Sequence, residues 1–125
     1  MLSNYPGKSI GDLERKSDEL RTKTLDICVK AKTGHVTSCF SCAEIFATLY
    51  YGDVLRFDSK NPELEDRDRF ILSKGQASPM LYAMLADLEF FPENLLDGFC
   101  KKGGKFGVHL QDTVPGVEIT SGSLG

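Results

Sequence analysis

Two histidines stand alone in loop-like stretches, His35 in "TGHVTS" and His109 in "GVHLQD". A neutral imidazole donates one hydrogen bond and accepts another, and it changes charge near physiological pH. Because loops at the ends of elements often carry the polar groups that meet a ligand, both are candidates to face a substrate. Taken one at a time, however, the local sequence favours an ordinary surface or capping histidine.

The stretch "RFILSKGQASPMLYAML" changes from an apolar run to a helix-like pattern around Gly75. A tight turn before a helix can leave backbone amides pointing outward, which suits a phosphate group. Gln76 adds an amide donor and Lys74 a positive charge. One glycine is weak evidence for phosphate binding, so the local sequence alone favours an ordinary strand–helix turn.

Cys39 and Cys42 have the Cys-x-x-Cys spacing that can bind zinc or carry out thiol–disulfide exchange. Zinc would need two more ligands, and there is no second Cys-x-x-Cys. Redox use calls for a preceding strand, whereas the preceding segment has a helical pattern. We therefore predict buried structural thiols at a helix start.

The segment "TSGSLG" places Gly122, Ser123 and Leu124 together. Glycines on both sides of the Ser-Leu pair let the backbone approach a flat ligand closely. By itself this signal is very weak.

The elements that must position these groups are mainly helical. Apolar residues recur at helical spacing over residues 9–32, and Gly34 predicts the end of that helix. "SCAE" predicts a second helix that begins at Ser41, with a capping box completed by Glu44. Gly52 predicts its end.

A single strand is predicted at "RFILS", residues 69–73, because this short apolar run has polar neighbours. Ser78 and Pro79 predict the cap and first position of a third helix, and Pro92 opens a short further helix. A helix–strand–helix order predicts an α/β fold with a parallel sheet. We expect a lead-in over residues 1–8 and, over residues 9–125, the front part of a larger domain.

Composition excludes several function classes. The chain has 125 residues with 41% apolar and 26% charged residues, and its net charge is −3. This balance predicts a globular domain without the basic excess that nucleic acid requires. No stretch is long and apolar enough to predict a membrane span or a signal peptide. A cytoplasmic location follows as the expectation, with all four cysteines, including Cys28 and Cys100, as reduced thiols.

Taken in order, the blocks "TGHVTS", "DRDRFILSKGQASPMLYAML", "GVHLQ" and "VPGVEITSGSLG" resemble the N-terminal region of transketolases. The similarity covers about residues 9–125 and is strongest to the N-terminal subunit of transketolases split over two chains. It implies the front part of a three-layer parallel-sheet, diphosphate-binding domain, mostly helical in this stretch. It also implies thiamine diphosphate, a divalent metal (Mg²⁺ or Ca²⁺), and transfer of a two-carbon ketol unit between sugar phosphates.

By this resemblance, His35 and His109 are catalytic residues that bind the sugar substrate. Gly122, Ser123 and Leu124 match contacts to the aminopyrimidine of the cofactor. Gln76 stands where transketolases usually carry a histidine beside the diphosphate. Glutamine still donates a hydrogen bond, but it cannot carry a proton.

Two other departures are expected to reshape the substrate channel. Val36 and Thr37 replace the small Pro-Gly pair common after the first histidine, and "VHL" replaces "GHP" around His109.

The family's metal motif lies downstream of Gly125, and its activating glutamate belongs to a separate pyrimidine domain. The resemblance therefore implies either a portion of a longer subunit or a reduced relative that needs partners. The expected partner is a C-terminal transketolase subunit that carries the pyrimidine domain, in a dimer of such pairs. On its own the 125-residue chain is expected to be inactive. Alternatives are a catalytically silent cofactor-binding or assembly module, and another thiamine diphosphate reaction such as 1-deoxyxylulose-5-phosphate synthesis.

Overall fold

The computed structural model describes residues 9–104, 106–107 and 111–122. Four α-helices and two 3₁₀ turns make up its regular structure, and within those residues it contains no β-strand. None of the helices in this part of the chain has the length and hydropathy of a membrane-crossing segment. The helices are α1 (Ile10–Ala31), α2 (Val36–Phe40), α3 (Ala43–Tyr51) and α4 (Ser78–Asp87), and the 3₁₀ turns are Gly75–Ala77 and Glu93–Gly98.

The first helix forms much as the sequence predicts. Ser9 and Asp12 make a capping box, since the Ser9 hydroxyl accepts the Asp12 amide at 3.2 Å and the Ser9 amide donates to the Asp12 carboxylate at 3.3 Å. The helix ends at Ala31 and Lys32 caps it in a left-handed conformation with φ 57°, two residues before the predicted stop at Gly34. The predicted helical face is confirmed: Leu20, Thr24, Ile27 and Cys28 are buried, and Leu13 and Ala31 are partly buried. Ser17, which the pattern did not include, is buried with them.

The predicted capping box at Ser41 is wrong. Ser41 ends the short helix α2, and its hydroxyl donates to the Ser38 carbonyl at 2.9 Å. The Glu44 carboxylate instead accepts Arg21 of α1 at 2.5 and 2.6 Å, and the Ser41 amide donates to the Thr37 carbonyl at 3.1 Å. A charged tertiary partner thus replaces the local contact, although the prediction that Gly52 ends α3 is confirmed.

Helix α4 is the centre of the fold. Every residue from Ser78 to Ala86 is buried, because α1, α2, α3 and the second 3₁₀ turn all pack around it. Its first turn contains Pro79, but Ser78 is already helical and Ala77 is the cap, so the predicted start shifts by one residue. The prediction of a short helical element after Pro92 is confirmed by the second 3₁₀ turn.

The predicted strand at residues 69–73 is not formed in the described part of the chain. Phe70 packs edge-on against the rings of Phe46 and Tyr50, at 5.7 Å from each. Leu72 also faces the core, whereas Ile71 between them is 59% exposed. This alternation has the period of a strand, but no second strand in the described residues supplies ladder hydrogen bonds.

Residues 118–121 are held against residues 67–72 by an ion pair and a hydrogen bond. Arg67 forms a two-pronged ion pair with Glu118, with nitrogen–oxygen distances of 3.1 and 2.8 Å. The two side chains are only 12% and 20% exposed. Further along, the Ser121 hydroxyl donates to the Leu72 carbonyl at 2.5 Å. Residues 118–122 therefore lie beside the segment that leads into the Gly75 turn.

We expect Arg67→Met to lower the free energy of unfolding by about 2 kcal/mol, because it leaves the mostly buried Glu118 carboxylate without its partner. Arg56→Met is the matched control, since Arg56 pairs with Asp66 on the surface and should cost less than about 0.5 kcal/mol. Urea denaturation of both purified variants measures the difference. Equal losses in the two variants would contradict a fastening role for the Arg67–Glu118 pair.

Candidate functional site

Three of the stretches singled out in the sequence meet at one junction. Helix α2, which begins directly after His35, packs against the 3₁₀ turn that contains Gln76. The Lys74 ammonium donates to the Ser38 carbonyl and to the Ser41 hydroxyl, both at 2.7 Å. These bonds hold the end of α2 against the beginning of the turn.

Cys39 makes a second link across the junction. Its thiol donates to the Gln76 carbonyl at 3.7 Å and accepts the backbone amide of Met80, in the first turn of α4. Burial raises the pKa of the Cys39 thiol to about 11, and the Met80 amide offsets only part of that rise. Cys39 is therefore a neutral, buried connector between α2, the turn and α4.

The Gln76 side chain is half-buried and has an orphaned polar atom. Its Oε1 is buried and has no hydrogen-bond partner in the described part of the chain. Rotation of the amide by half a turn brings Nε2 to the same place, so this position can present a donor or an acceptor. A buried amide without a partner costs free energy, and a ligand that bonds to it recovers that cost.

Several backbone amides at the turn are bonded within it and do not point outward, in agreement with the ordinary turn that the local sequence favours. The Gly75 amide donates to the Ser73 carbonyl, and the Ala77 amide donates to the Lys74 carbonyl. The Ser78 amide donates to the Gly75 carbonyl. An anion at this junction would therefore be contacted through the Gln76 side chain rather than through these amides.

His35 stands at the open side of the junction. It is exposed and precedes α2 without any side-chain capping bond, so the capping role weighed from the sequence does not apply. Gly34 makes the corner before it, with φ 127°. A Cβ at Gly34 would lie 2.5 Å from the Cys28 sulfur, so only glycine fits between α1 and His35.

Gly122 is the described member of the predicted aminopyrimidine contacts. It is buried and has φ 131°, a backbone conformation that glycine alone adopts readily. The neighbouring Ser121–Leu72 bond places it beside the segment that precedes the turn. His109, Ser123 and Leu124 lie outside the described residues, and their roles stay predictions.

The Cys-x-x-Cys pair has the properties of structural thiols. Cys39 is fully buried and Cys42 is 8% exposed, and all four cysteines are free. Among the described residues, no three or more histidine, cysteine or acidic side chains are grouped as metal ligands. The predicted burial of both thiols is confirmed.

The sequence does not indicate the linking roles of Lys74 and Cys39. It suggests Lys74 as a charge for phosphate, whereas the partners of Lys74, Ser38 and Ser41, lie 36 and 33 residues away in the chain. No local pattern marks such contacts, because they depend on how α2 packs against α4.

Comparison with known proteins identifies the family of the chain. A family model described as "Transketolase, thiamine diphosphate binding domain" matches residues 14–125. The chain belongs to this transketolase family. The resemblance in the sequence is thereby confirmed.

The relatives include both split and full-length transketolases. A 6-deoxy-6-sulfo-D-fructose transketolase subunit of a Clostridium species is 39% identical over 91% of this chain and 42% of its own length. One of the apulose-4-phosphate transketolase subunits of Phocaeicola vulgatus is 34% identical over 90% of this chain and 40% of its own. The names of these two relatives describe subunits, which implies a partner subunit for each of them. The chain thus spans less than half the length of these relatives.

The fold agrees with this membership. Transketolase from Leishmania mexicana superposes with a TM-score of 0.85 and 30% identity, over 96% of this chain and 18% of that protein. Transketolase from Campylobacter jejuni gives the same TM-score with 32% identity. The described residues therefore have the fold of the corresponding part of a transketolase, although the predicted sheet is not seen in them.

Cys39 should resist alkylation at pH 8. With its pKa near 11 instead of 9.0, the thiolate fraction falls by about a hundredfold at that pH. Iodoacetamide labelling followed by mass spectrometry measures this, with half-exposed Cys100 as the faster internal comparison. Because burial favours the neutral thiol, its stabilising effect is present below pH 9 and is lost as the pH rises toward 11. Labelling of Cys39 as fast as Cys100 at pH 8 would contradict the connector role.

Proposed function

We propose that this chain forms part of an enzyme that transfers a two-carbon ketol unit from a ketose phosphate to an aldose phosphate with thiamine diphosphate. The observation that carries the proposal is the family match over residues 14–125. The junction supports it, because exposed His35, half-buried Gln76 and buried Gly122 lie on elements that are fastened to one another.

The residues present fit a diphosphate group at Gln76. The orphaned amide position is buried, polar and able to present a donor, which is what a phosphate oxygen requires. Gly122 would let the backbone approach the flat aminopyrimidine, since it has no side chain and a conformation unusual for other residues. The chemistry of the two-carbon transfer is supplied by thiamine diphosphate when it is bound.

The histidines would act on the sugar. His35 is exposed and makes no capping bond, so its imidazole is available to donate to a carbonyl or hydroxyl of the substrate. We assign the same task to His109 by resemblance. Gln76 would hold the diphosphate without taking or giving a proton, because an amide does not titrate in the physiological range.

The remaining parts of the site are proposed to lie outside this segment. These are the ligands of Mg²⁺ or Ca²⁺, and the pyrimidine domain of a C-terminal subunit that pairs with this chain. The strand-like residues 69–73 would then join a parallel sheet that other segments complete. Four free thiols fit a reducing compartment such as the cytoplasm.

The direct test is ketol transfer by the native assembly that contains this chain, isolated from its own cells. With thiamine diphosphate, Mg²⁺, a ketose phosphate and an aldose phosphate, we expect a product two carbons longer than the acceptor, detected by mass spectrometry. His35→Ala should lower kcat/KM by about tenfold to a hundredfold, since one hydrogen bond to the reacting sugar is lost. Cofactor binding without any transfer would favour a silent cofactor-binding module.

Gln76→Ala should raise the Kd of thiamine diphosphate by about tenfold, the effect of losing one hydrogen bond to a charged group. Gln76→His is the informative companion, because a histidine at this position would make the Kd change with pH around its ordinary pKa of about 6.5. Isothermal titration calorimetry of the native assembly between pH 6 and 8 measures both. The terminal phosphate of the cofactor also titrates in this range, so the two proteins are compared with each other. An unchanged Kd in Gln76→Ala, or a pH dependence in Gln76→His no larger than that of the unaltered protein, would contradict the assignment of Gln76 to the diphosphate.

A further inference from the structure

The Ser38 carbonyl is the hub of a small hydrogen-bond network. It accepts the Lys74 ammonium at 2.7 Å, the Ser41 hydroxyl at 2.9 Å and the Cys42 thiol at 3.6 Å. Lys74 also donates to the Ser41 hydroxyl at 2.7 Å. Lys74, Ser41 and the Ser38 carbonyl therefore form a closed triangle at the end of α2.

Helix α2 needs such a support. It has only five residues, and isolated helices shorter than about 12 residues are marginal in water. Positive charge at the C-terminal carbonyls of a helix is favourable. Two cations from other elements supply it here: Lys74 at the Ser38 carbonyl, and Arg21 of α1 at the Phe40 carbonyl at 3.1 Å. His35 directly precedes this helix, so the contacts that fix α2 also fix the position of His35.

We propose that Lys74 is a positioning residue, which fixes α2 and His35 relative to the turn that carries Gln76. This inference rests on the proposed function, because it assigns the sugar to His35 and the diphosphate to Gln76. Without the Lys74 bonds, α2 remains linked to the turn through the Cys39 thiol. A sulfur bond of 3.7 Å is weaker and less directional than a charged nitrogen–oxygen bond of 2.7 Å.

The competing role for Lys74 is direct contact with the diphosphate. The two roles predict different effects of removing the Ser41 hydroxyl. Ser41 is exposed and belongs to the triangle with Lys74. If Lys74 positions α2, removal of the Ser41 hydroxyl weakens the same support. If Lys74 binds the anion directly, the same removal frees the ammonium and leaves cofactor affinity unchanged or improved.

The experiment compares Lys74→Met, Lys74→Arg, Ser41→Ala and the Lys74→Met/Ser41→Ala double variant in the native assembly. Lys60→Met is the control, because Lys60 is an exposed lysine that pairs with Glu89 elsewhere on the surface. Two properties are measured: amide hydrogen exchange of residues 36–40 without cofactor, and the Kd of thiamine diphosphate by calorimetry.

We expect Lys74→Met to speed exchange in residues 36–40 and to raise the cofactor Kd, each by about tenfold. Ser41→Ala should give about a threefold change in both, and the double variant should match Lys74→Met, because residues that act in one network are not additive. Lys74→Arg should restore most of both properties, and Lys60→Met should change neither.

Each contrary result has a distinct meaning. Unchanged amide exchange in Lys74→Met overturns the positioning role. A raised cofactor Kd in Lys74→Met together with an unchanged Kd in Ser41→Ala also overturns it. An unaltered protein that binds no thiamine diphosphate overturns the proposed function. Faster exchange in Lys74→Met would then show that the triangle holds α2, but not that it positions a cofactor site.

Discussion

The candidate site depends on a five-residue helix that cannot hold its own position. Helix α2 is fixed by partners on other parts of the chain. Lys74 and Arg21 donate to carbonyls at its end, and the Cys39 thiol links it to the turn and to the start of α4. The Lys74 and Cys39 contacts join α2 to a turn that leads directly into the most buried helix of the fold. The position of α2, and of His35 directly before it, is therefore set relative to the buried helix α4.

This arrangement also limits what the turn can offer to an anion. Several of its backbone amides are used within the turn, and the Met80 amide is used by Cys39. Within the turn, the side chain of Gln76 has a buried polar atom without a partner. A side-chain amide binds without changing charge, so the contribution of this position to cofactor binding would not vary with pH near neutrality. A histidine at the same place would couple binding to protonation.

Sequence reasoning was strongest where local rules act alone. The stripe of α1, the stop at Gly52 and the burial of Cys39 follow from periodicity, a terminating glycine and thiol packing. It failed where a tertiary partner competes, as when Arg21 takes the Glu44 carboxylate from the predicted capping box. It also failed at residues 69–73, since a strand needs a neighbour that no local pattern supplies. The junction of α2 with the turn has the same character, because its contacts join residues more than thirty positions apart.

The most direct test of the roles of Gln76 and Lys74 is a crystal structure of the native assembly with thiamine diphosphate bound. We expect a diphosphate oxygen within hydrogen-bond distance of the Gln76 amide nitrogen. We also expect Lys74 to keep its bonds to Ser38 and Ser41, with His35 facing the side where the sugar binds. A diphosphate bound away from Gln76, or held directly by a Lys74 that has left α2, would contradict these roles.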